Sequence, residues 1–461
     1  MTYEYDYRPI EGQMYDQGQL GSCAENMFMA NINIIDHQLG LPDLNGSRLQ
    51  TYYDFRAIYG GANITTDTGT DITMMLKNAQ TIGVAPETDD PYIISTFTQK
   101  PSAQTYTDAA QHKVLTFYHE QEPAAHNWVT IRDMMRGWLD EGKMPEIGFT
   151  CKSWYPSEHG TIGTIDPANA QGTGGSILGG HAGLVVGMDD SLCGGRGGYI
   201  VQNSWGTSYG DNGNMVIPYD EFPGGSYAYG GYTVNINTLD VITGWQEGSK
   251  VFDLTWTDAK KAVSNLYVGE MGRAADIDGL TYWAGRYSDT TNPMTLKQIA
   301  QSISVSGEYN TMYSGLDVSA KIDQIYVNSF GHHADSAGLT YWAAQFNNGT
   351  GIGEIIVDIQ TGAIGNDLIA LGNKQDMAMY ASVTNQLNNL TELQKAMGFN
   401  ALSHDALQAM KITITNDMHN FAPTIVPATS LVTGNFSHDG HQDVQIVGVS
   451  DVHLLTGNHI A

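Results

Sequence analysis

A cysteine, a histidine and an asparagine lie far apart in this chain, and each sits in a distinctive local context. Any fold that uses them together must bring a helix start against two strands. The cysteine closes Asp16-Gln17-Gly18-Gln19-Leu20-Gly21-Ser22-Cys23. The histidine sits in Gly179-Gly180-His181-Ala182-Gly183-Leu184-Val185-Val186-Gly187, and the asparagine in Gln202-Asn203-Ser204-Trp205-Gly206. Cys23 opens a mostly apolar segment, Ala24 to Leu39, whose apolar residues fall on nearly every face, which predicts a buried helix. A thiol at a helix N-terminus faces unpaired N–H groups and the positive end of the dipole, and both favour thiolate. His181 begins a run that reads as a buried strand, and Asn203 ends a second, Tyr199 to Gln202. The segment Asp189 to Gly198 is rich in turn residues and predicts a hairpin that sets His181 beside Asn203. The imidazole would take the thiol proton, and the amide would hold the ring in one tautomer.

Plainer roles exist for each residue. A lone cysteine in a helix is usually an inert buried thiol, and a loop asparagine often satisfies its own backbone. His159 is the nearest rival histidine, but Pro156-Ser157-Glu158-His159-Gly160 is a polar loop without strand context. The agreement of three separate blocks favours the catalytic reading.

Those blocks resemble the active-site segments of the papain superfamily of cysteine peptidases. The resemblance implies Cys23 as nucleophile, His181 as base, Asn203 as orienter and Gln17, six positions before Cys23, as oxyanion donor. It also implies that Trp205 shields the Asn–His hydrogen bond, with Ser22 and Gly180 as supporting neighbours. Weaker similarity to bacterial members covers Leu49 to Arg56, Asp67 to Ile72, Gly83 to Glu87, and Pro91-Tyr92. It also covers Ile131 to Pro145, which resembles their helix before the first barrel strand. Two departures stand out: Ala24 follows the cysteine where many members carry Trp, and Gly180 precedes the histidine where plant enzymes often carry Asp. Neither removes a group that the chemistry requires.

Composition bounds the partners. With 21 basic and 49 acidic residues among 461, the net charge of −28 makes nucleic acid a poor partner. Charged residues make up only 15 % while Gly reaches 53, a profile shared by extracellular bacterial proteins and by simply soluble ones. No apolar run is long enough for a membrane span, and Met1 to Pro9 lacks the features of an ordinary signal peptide. The residues before Cys23 are too few for an inhibitory propeptide, so activity is expected to be restrained another way. Cys151 and Cys193 are expected to remain unbridged, because nothing in the sequence sets their separation.

The second half contains an internal repeat with a period of 59 residues: Leu266 to Ala284 matches Ile325 to Ala343, from Tyr267/Tyr326 through Trp283/Trp342. Each copy reads as a helix ending at Gly272 or Gly331, an Asp capping the next turn, and a Tyr-Trp pair on the following helix. It resembles a short helical repeat of bacterial exported and surface-layer proteins. Ca²⁺ or glycan contacts through Asp276 and Asp335 are the alternative to capping, and capping is preferred. Thr295 to Val305 and Val318 to Val327 read as helices, and 374–420 continues the helical pattern. After Pro423 and Pro427, Val444 to Leu455 alternates apolar and polar residues and resembles the C-terminal export signals of one-step ABC-transporter secretion. His438, Asp439, His441 and Asp443 form a solvated turn in preference to a metal site.

The expected fold is thus α+β. Residues 1–245 form a two-lobe catalytic domain, with a helical lobe and an antiparallel barrel-like lobe. Residues 246–420 form an α-helical repeat domain, and 421–461 a short β-rich tail that serves as export signal. The expected activity is exported cysteine endopeptidase on protein or peptide substrates, needing no metal or organic cofactor. The alternatives are a catalytically silent binding or cell-surface protein, and a transpeptidase or acyl transferase using the same groups. A secreted or cell-surface location is expected over a cytoplasmic one.

Overall fold

The computed structural model describes residues 4–61, 63–152, 177–221, 236–384 and 389–421. The chain is a mixed α/β protein that divides into two compact units, Met1–Thr255 and Trp256–Ala461.

In the first unit, helices α1 (Cys23–Gln38), α2 (Arg48–Ile58), α3 (Ile72–Thr81), α4 (Ala103–Ala109) and α5 (Trp128–Asp140) accompany one antiparallel sheet, with a single turn α6 (Leu192–Gly195). The strands are β1 (Glu4–Asp6), β2 (His112–His119), β3 (Glu146–Lys152), β4 (Ile177–Asp189), β5 (Gly198–Gln202), β6 (Asn214–Pro218), β7 (Ile236–Glu247) and β8 (Lys250–Asp253). They run in the order β2-β7-β3-β4-β5-β6, with β1 added to β4 and β8 to β7.

Helix α1 is buried almost throughout, as its apolar run predicts. Its enclosed face nevertheless carries Glu25, Asn26, Asn31, Asn33 and Asp36. Each has a local partner, because an unpaired buried polar group costs far more than a paired one. Asn31 Nδ2 donates to Glu146 Oε1 on β3 (2.8 Å), Asn33 Nδ2 to the Tyr15 hydroxyl (3.0 Å), and Arg48 to Asn26 Oδ1 (2.9 Å). The helix is therefore fixed against the sheet and α2 by polar contacts as well as by apolar burial.

The strand through His181 starts earlier than the sequence suggests, at Ile177, so His181 lies inside β4. It sits opposite Phe149 on β3, and Leu184 opposite Gln202 on β5, so the hairpin delivers Asn203 just past the end of β5. The sheet also begins earlier than expected. The segment Ile131 to Pro145, likened to the helix before the first barrel strand, carries the end of α5 (Trp128–Asp140), which follows β2, whose partner β7 is Ile236–Glu247. Such a non-local, partly exposed edge strand leaves little signal in its own stretch of sequence. A register shift between Val185 and Gly187 lets β1 join β4, with Tyr7 N–H donating to Val186 O (2.9 Å). At Gly187 a Cβ would lie 2.4 Å from Tyr5 O, so only glycine allows β1 to pass.

The second unit is helical: α7 (Asp258–Met271), α8 (Ile277–Ser288), α9 (Leu296–Ile303), α10 (Gly307–Met312), α11 (Val318–Phe330), α12 (Ser336–Asn347), α13 (Ile352–Thr361), α14 (Asn366–Thr384), α15 (Leu390–Lys395) and α16 (His404–Phe421). The repeat appears as α7–α8 and α11–α12. Gly272 and Gly331 end the first helix of each pair in the left-handed conformation (φ 61° and 81°). Asp276 and Asp335 cap the second, accepting from Gly279 N (2.7 Å) and Gly338 N (2.6 Å). The copies also share a side-chain pair at matching positions: Arg273 forms an ion pair with Glu308, and His332 Nε2 lies 2.8 Å from Asp367 Oδ1. Only the first copy is enclosed, with Trp283 buried and Trp342 half-buried. Among the described residues no single helix is long and apolar enough to cross a membrane. The expected tail, with its alternating stretch and His438, Asp439, His441 and Asp443, lies outside the described residues, as does His159.

Candidate active site

A cleft of about 610 Å³ in the first unit is lined by Gln17 and Cys23, by Thr68 to Ile72, and by the sheet residues Gly180, His181, Ala182, Asn237 and Thr238. The structure thus brings the predicted nucleophile, base and amide donor to one opening. Cys23 is the first residue of α1. The preceding Ser22 does not cap the helix with its side chain. Its hydroxyl instead meets the Tyr92 hydroxyl (2.5 Å) and accepts from Asn26 Nδ2 (3.2 Å). The first N–H groups of α1 are therefore left for the thiol end of the helix.

Asn203, just past β5, reaches His181: Nε2 of the ring and Asn203 Oδ1 are 2.8 Å apart. Oδ1 also accepts from the Ser204 N–H (2.7 Å), while Asn203 Nδ2 faces Met215 Sδ (3.7 Å). That pattern fixes the amide orientation, so the neutral ring carries its proton on Nε2 and keeps Nδ1 as a base. Trp205 stacks on the imidazole (centroids 4.8 Å apart, planes 22°), and Phe149 meets it edge-on at 5.6 Å. The His–Asn contact is consequently buried. Gly180 lies opposite Thr150, and a Cβ there would project into open space, so its bare backbone leaves the cleft beside His181 unobstructed.

Gln17 is held through both ends of its amide. Its Nε2 donates to Leu20 O (2.9 Å), its Oε1 accepts from Ser204 Oγ (2.6 Å), and its backbone N–H reaches Ser204 O (2.9 Å). The second Nε2 hydrogen has no place in those contacts, and Gln17 lines the cleft.

Electrostatics set the resting state. Burial pushes the Cys23 thiol up to about 11, Glu25 adds to that, and the N–H groups of Ala182, Ala24 and Cys23 pull against it. Burial pushes His181 down to about 4, against the hydrogen bond to Asn203. At neutral pH the pair therefore rests as thiol and neutral imidazole, and a proton passing between them creates two opposite charges side by side.

Several neighbours carry the site without having been assigned a role from sequence. Ser204 orients Gln17, and Tyr92 donates to Gln17 O (2.9 Å). Asp67 accepts from the Gly21 N–H (3.0 and 3.1 Å) and from the Tyr52 hydroxyl, tying the turn before Cys23 to the neighbouring segment and to α2. Glu25 is enclosed behind Cys23 and holds Thr70. Asp67 and Ser204 lie within blocks that the sequence marks out. Glu25 has no such signal, because a carboxyl in an apolar run looks like a surface position. Cys23, Cys151 and Cys193 form no disulfide with one another.

With this geometry in place, the chain can be set beside the known proteins it is similar to. Over 210 residues it is 28 % identical to an uncharacterized peptidase C1-like protein of Acanthamoeba polyphaga mimivirus, an alignment covering 44 % of this chain and 63 % of the relative. The chain thus spans less than two thirds of the length of that curated relative. Among solved structures it is similar to xylellain, a cysteine protease from Xylella fastidiosa (26 % identity, TM-score 0.43, 54 % of this chain and 86 % of that one). It is also similar to the bromelain protease of Ananas comosus (16 % identity, TM-score 0.36, 52 % and 97 %). In the second unit, residues 300–361 match a family described as a domain of unknown function (DUF4214).

Proposed function

We propose that the first unit is a papain-like cysteine peptidase acting through Cys23, His181, Asn203 and Gln17. The observation that carries this reading is a thiol at the start of α1 and a Nε2-anchored imidazole opening onto one cleft. The peptidase C1-like relative supports it from sequence.

The Cys23 proton passes to His181 Nδ1 as sulfur bonds the carbonyl carbon of a peptide. The carbonyl electron pair moves onto oxygen, where the Cys23 N–H and the remaining Gln17 Nε2–H receive it. Collapse expels the amine, which takes the proton from His181. Water then adds to the thioester, returning a proton to His181 and releasing the acid and the thiol. The resemblance of Val444 to Leu455 to a C-terminal export signal supports an exported enzyme acting on protein or peptide substrates outside the cell. The repeat helices would serve as a non-catalytic surface or partner module.

Casein and small fluorogenic peptides, incubated with wild type and Cys23→Ala in the presence and absence of Ca²⁺, test the assignment. Cleavage by the wild type alone is expected. Equal turnover by both variants would remove the thiol from the chemistry, and transfer of the acyl group to an added amine in place of water would turn the assignment to a transpeptidase.

A further inference from the structure

Two residues beyond Cys23, α1 carries Glu25, with 0 % of its surface exposed. Its Oε1 accepts from Thr70 Oγ1 (2.6 Å), and Thr70 lines the cleft. Its Oε2 is buried without a hydrogen-bond partner. The groups facing it come from every neighbouring element: Arg56 and Tyr52 from α2, Asp67 and Thr70 from the segment before α3, Tyr92 from the next loop, and Cys23 on α1. Arg56 is the cation among them, yet its hydrogen bonds go elsewhere. They run to Tyr52 O (3.1 Å), Ile64 O (2.8 Å), Thr66 O (3.3 Å) and Phe97 O. Asp67 is committed to Gly21 and Tyr52. A negative charge on Glu25 would therefore have no ion-pair hydrogen bond and would stand behind the thiol.

We propose that Glu25 is a positioning residue for the thiol chemistry: neutral, it braces Thr70 and leaves Cys23 to the positive end of α1, whereas ionised it opposes the thiolate. The inference rests on the peptidase reading of the cleft and deepens it. Burial pushes the Glu25 carboxyl up to about 7, against the Thr70 hydrogen bond, so its proton leaves near neutrality. As pH rises through that region, a like charge appears within electrostatic reach of the thiol and thiolate becomes harder to form. The cleft is thereby tuned towards the acid side.

The test is the rate at which iodoacetamide alkylates Cys23, followed by mass spectrometry from pH 5 to 9. Glu25→Gln keeps an acceptor for Thr70 and removes the charge. The variant-to-wild-type rate ratio is expected near one at pH 5, rising to roughly threefold to tenfold at pH 8.5, as for a like charge worth about half to one pKa unit. The KM for a fluorogenic peptide should stay put in Glu25→Gln and rise in Glu25→Ala, which also loses the brace. A ratio that is the same at every pH would overturn the proposal, since a purely structural role scales the rate uniformly. Should Glu25→Gln fail to fold, Thr70→Val, at a partly exposed position, serves instead. Losing its hydrogen bond keeps Glu25 protonated to higher pH and shifts the slowdown upward, and an unmoved profile would sink the idea. Coupled alkylation without any peptide cleavage by the wild type would support Glu25 and remove the peptidase reading.

Discussion

Gln17 shows what a single side chain must have before it can act. An amide that offers a hydrogen to a transient oxyanion must already be oriented, because reorganisation during the reaction would forfeit the gain. Leu20 O and Ser204 Oγ provide that orientation from opposite ends. Gln17→Ala is therefore expected to lower kcat about 100-fold, the usual scale for an oxyanion donor, with the rate of Cys23 alkylation unchanged. Ser204→Ala, which only loosens the amide, should cost a few-fold by the same reasoning. Equal alkylation and equal kcat in wild type and Gln17→Ala would show that Gln17 takes no part in the proposed chemistry. Cys23, His181, Asn203 and Gln17 could be singled out from sequence because each stands in a distinctive block, while the roles given to them belong to the proposed chemistry. Ser204 was visible only as a letter within one of them, since its grip on Gln17 depends on Asp16 bridging to Trp205 across the fold.

Among elements, β4 is where the sequence speaks most and still falls short. Its run of glycines and small apolar residues announces a buried strand, but the reason for Gly187 is a neighbour from the N-terminus, β1. An added methyl there would meet Tyr5 O at 2.4 Å, a backbone atom that can yield only by moving the strand. Gly187→Ala is expected to destabilise the first unit by about 1–3 kcal/mol, the range for overpacking, read from urea unfolding by circular dichroism. Stability equal to wild type would mean that β1 is dispensable to the sheet. The repeat teaches the same lesson in helices. Its glycine stops and aspartate caps follow from local chemistry, and so the 59-residue period was readable. The different fates of Trp283 and Trp342 depend on which copy other helices cover, and no local pattern carries that.

For the whole molecule, the excess of acid was plain from composition, but where that acid sits decides how stability responds to pH. Glu25 and Glu146 are fully enclosed, and Asp54 nearly so. Burial pushes them up to about 7, about 8 and about 6, with hydrogen bonds from Thr70, Asn31 and Tyr106 leading the opposition. In the unfolded chain these carboxyls ionise near 4, so between about pH 4 and 8 the folded state holds more protons. Stability from this source is complete at the acid end and is lost as pH rises through the folded values. His181 works the other way: its proton is taken up more readily when unfolded, so it costs stability as pH falls from about 6.5 to 4. Three carboxyls outweigh one imidazole above pH 5.5, and self-repulsion at a net charge of −28 adds to them. The melting temperature of the intact protein is therefore expected to fall by more than about 4 °C between pH 5.5 and pH 8. Glu146→Gln, which keeps an acceptor for Asn31, should flatten that slope. A melting temperature that climbs over the same interval would mean that these carboxyls are already ionised in the fold, and with them Glu25 behind the thiol.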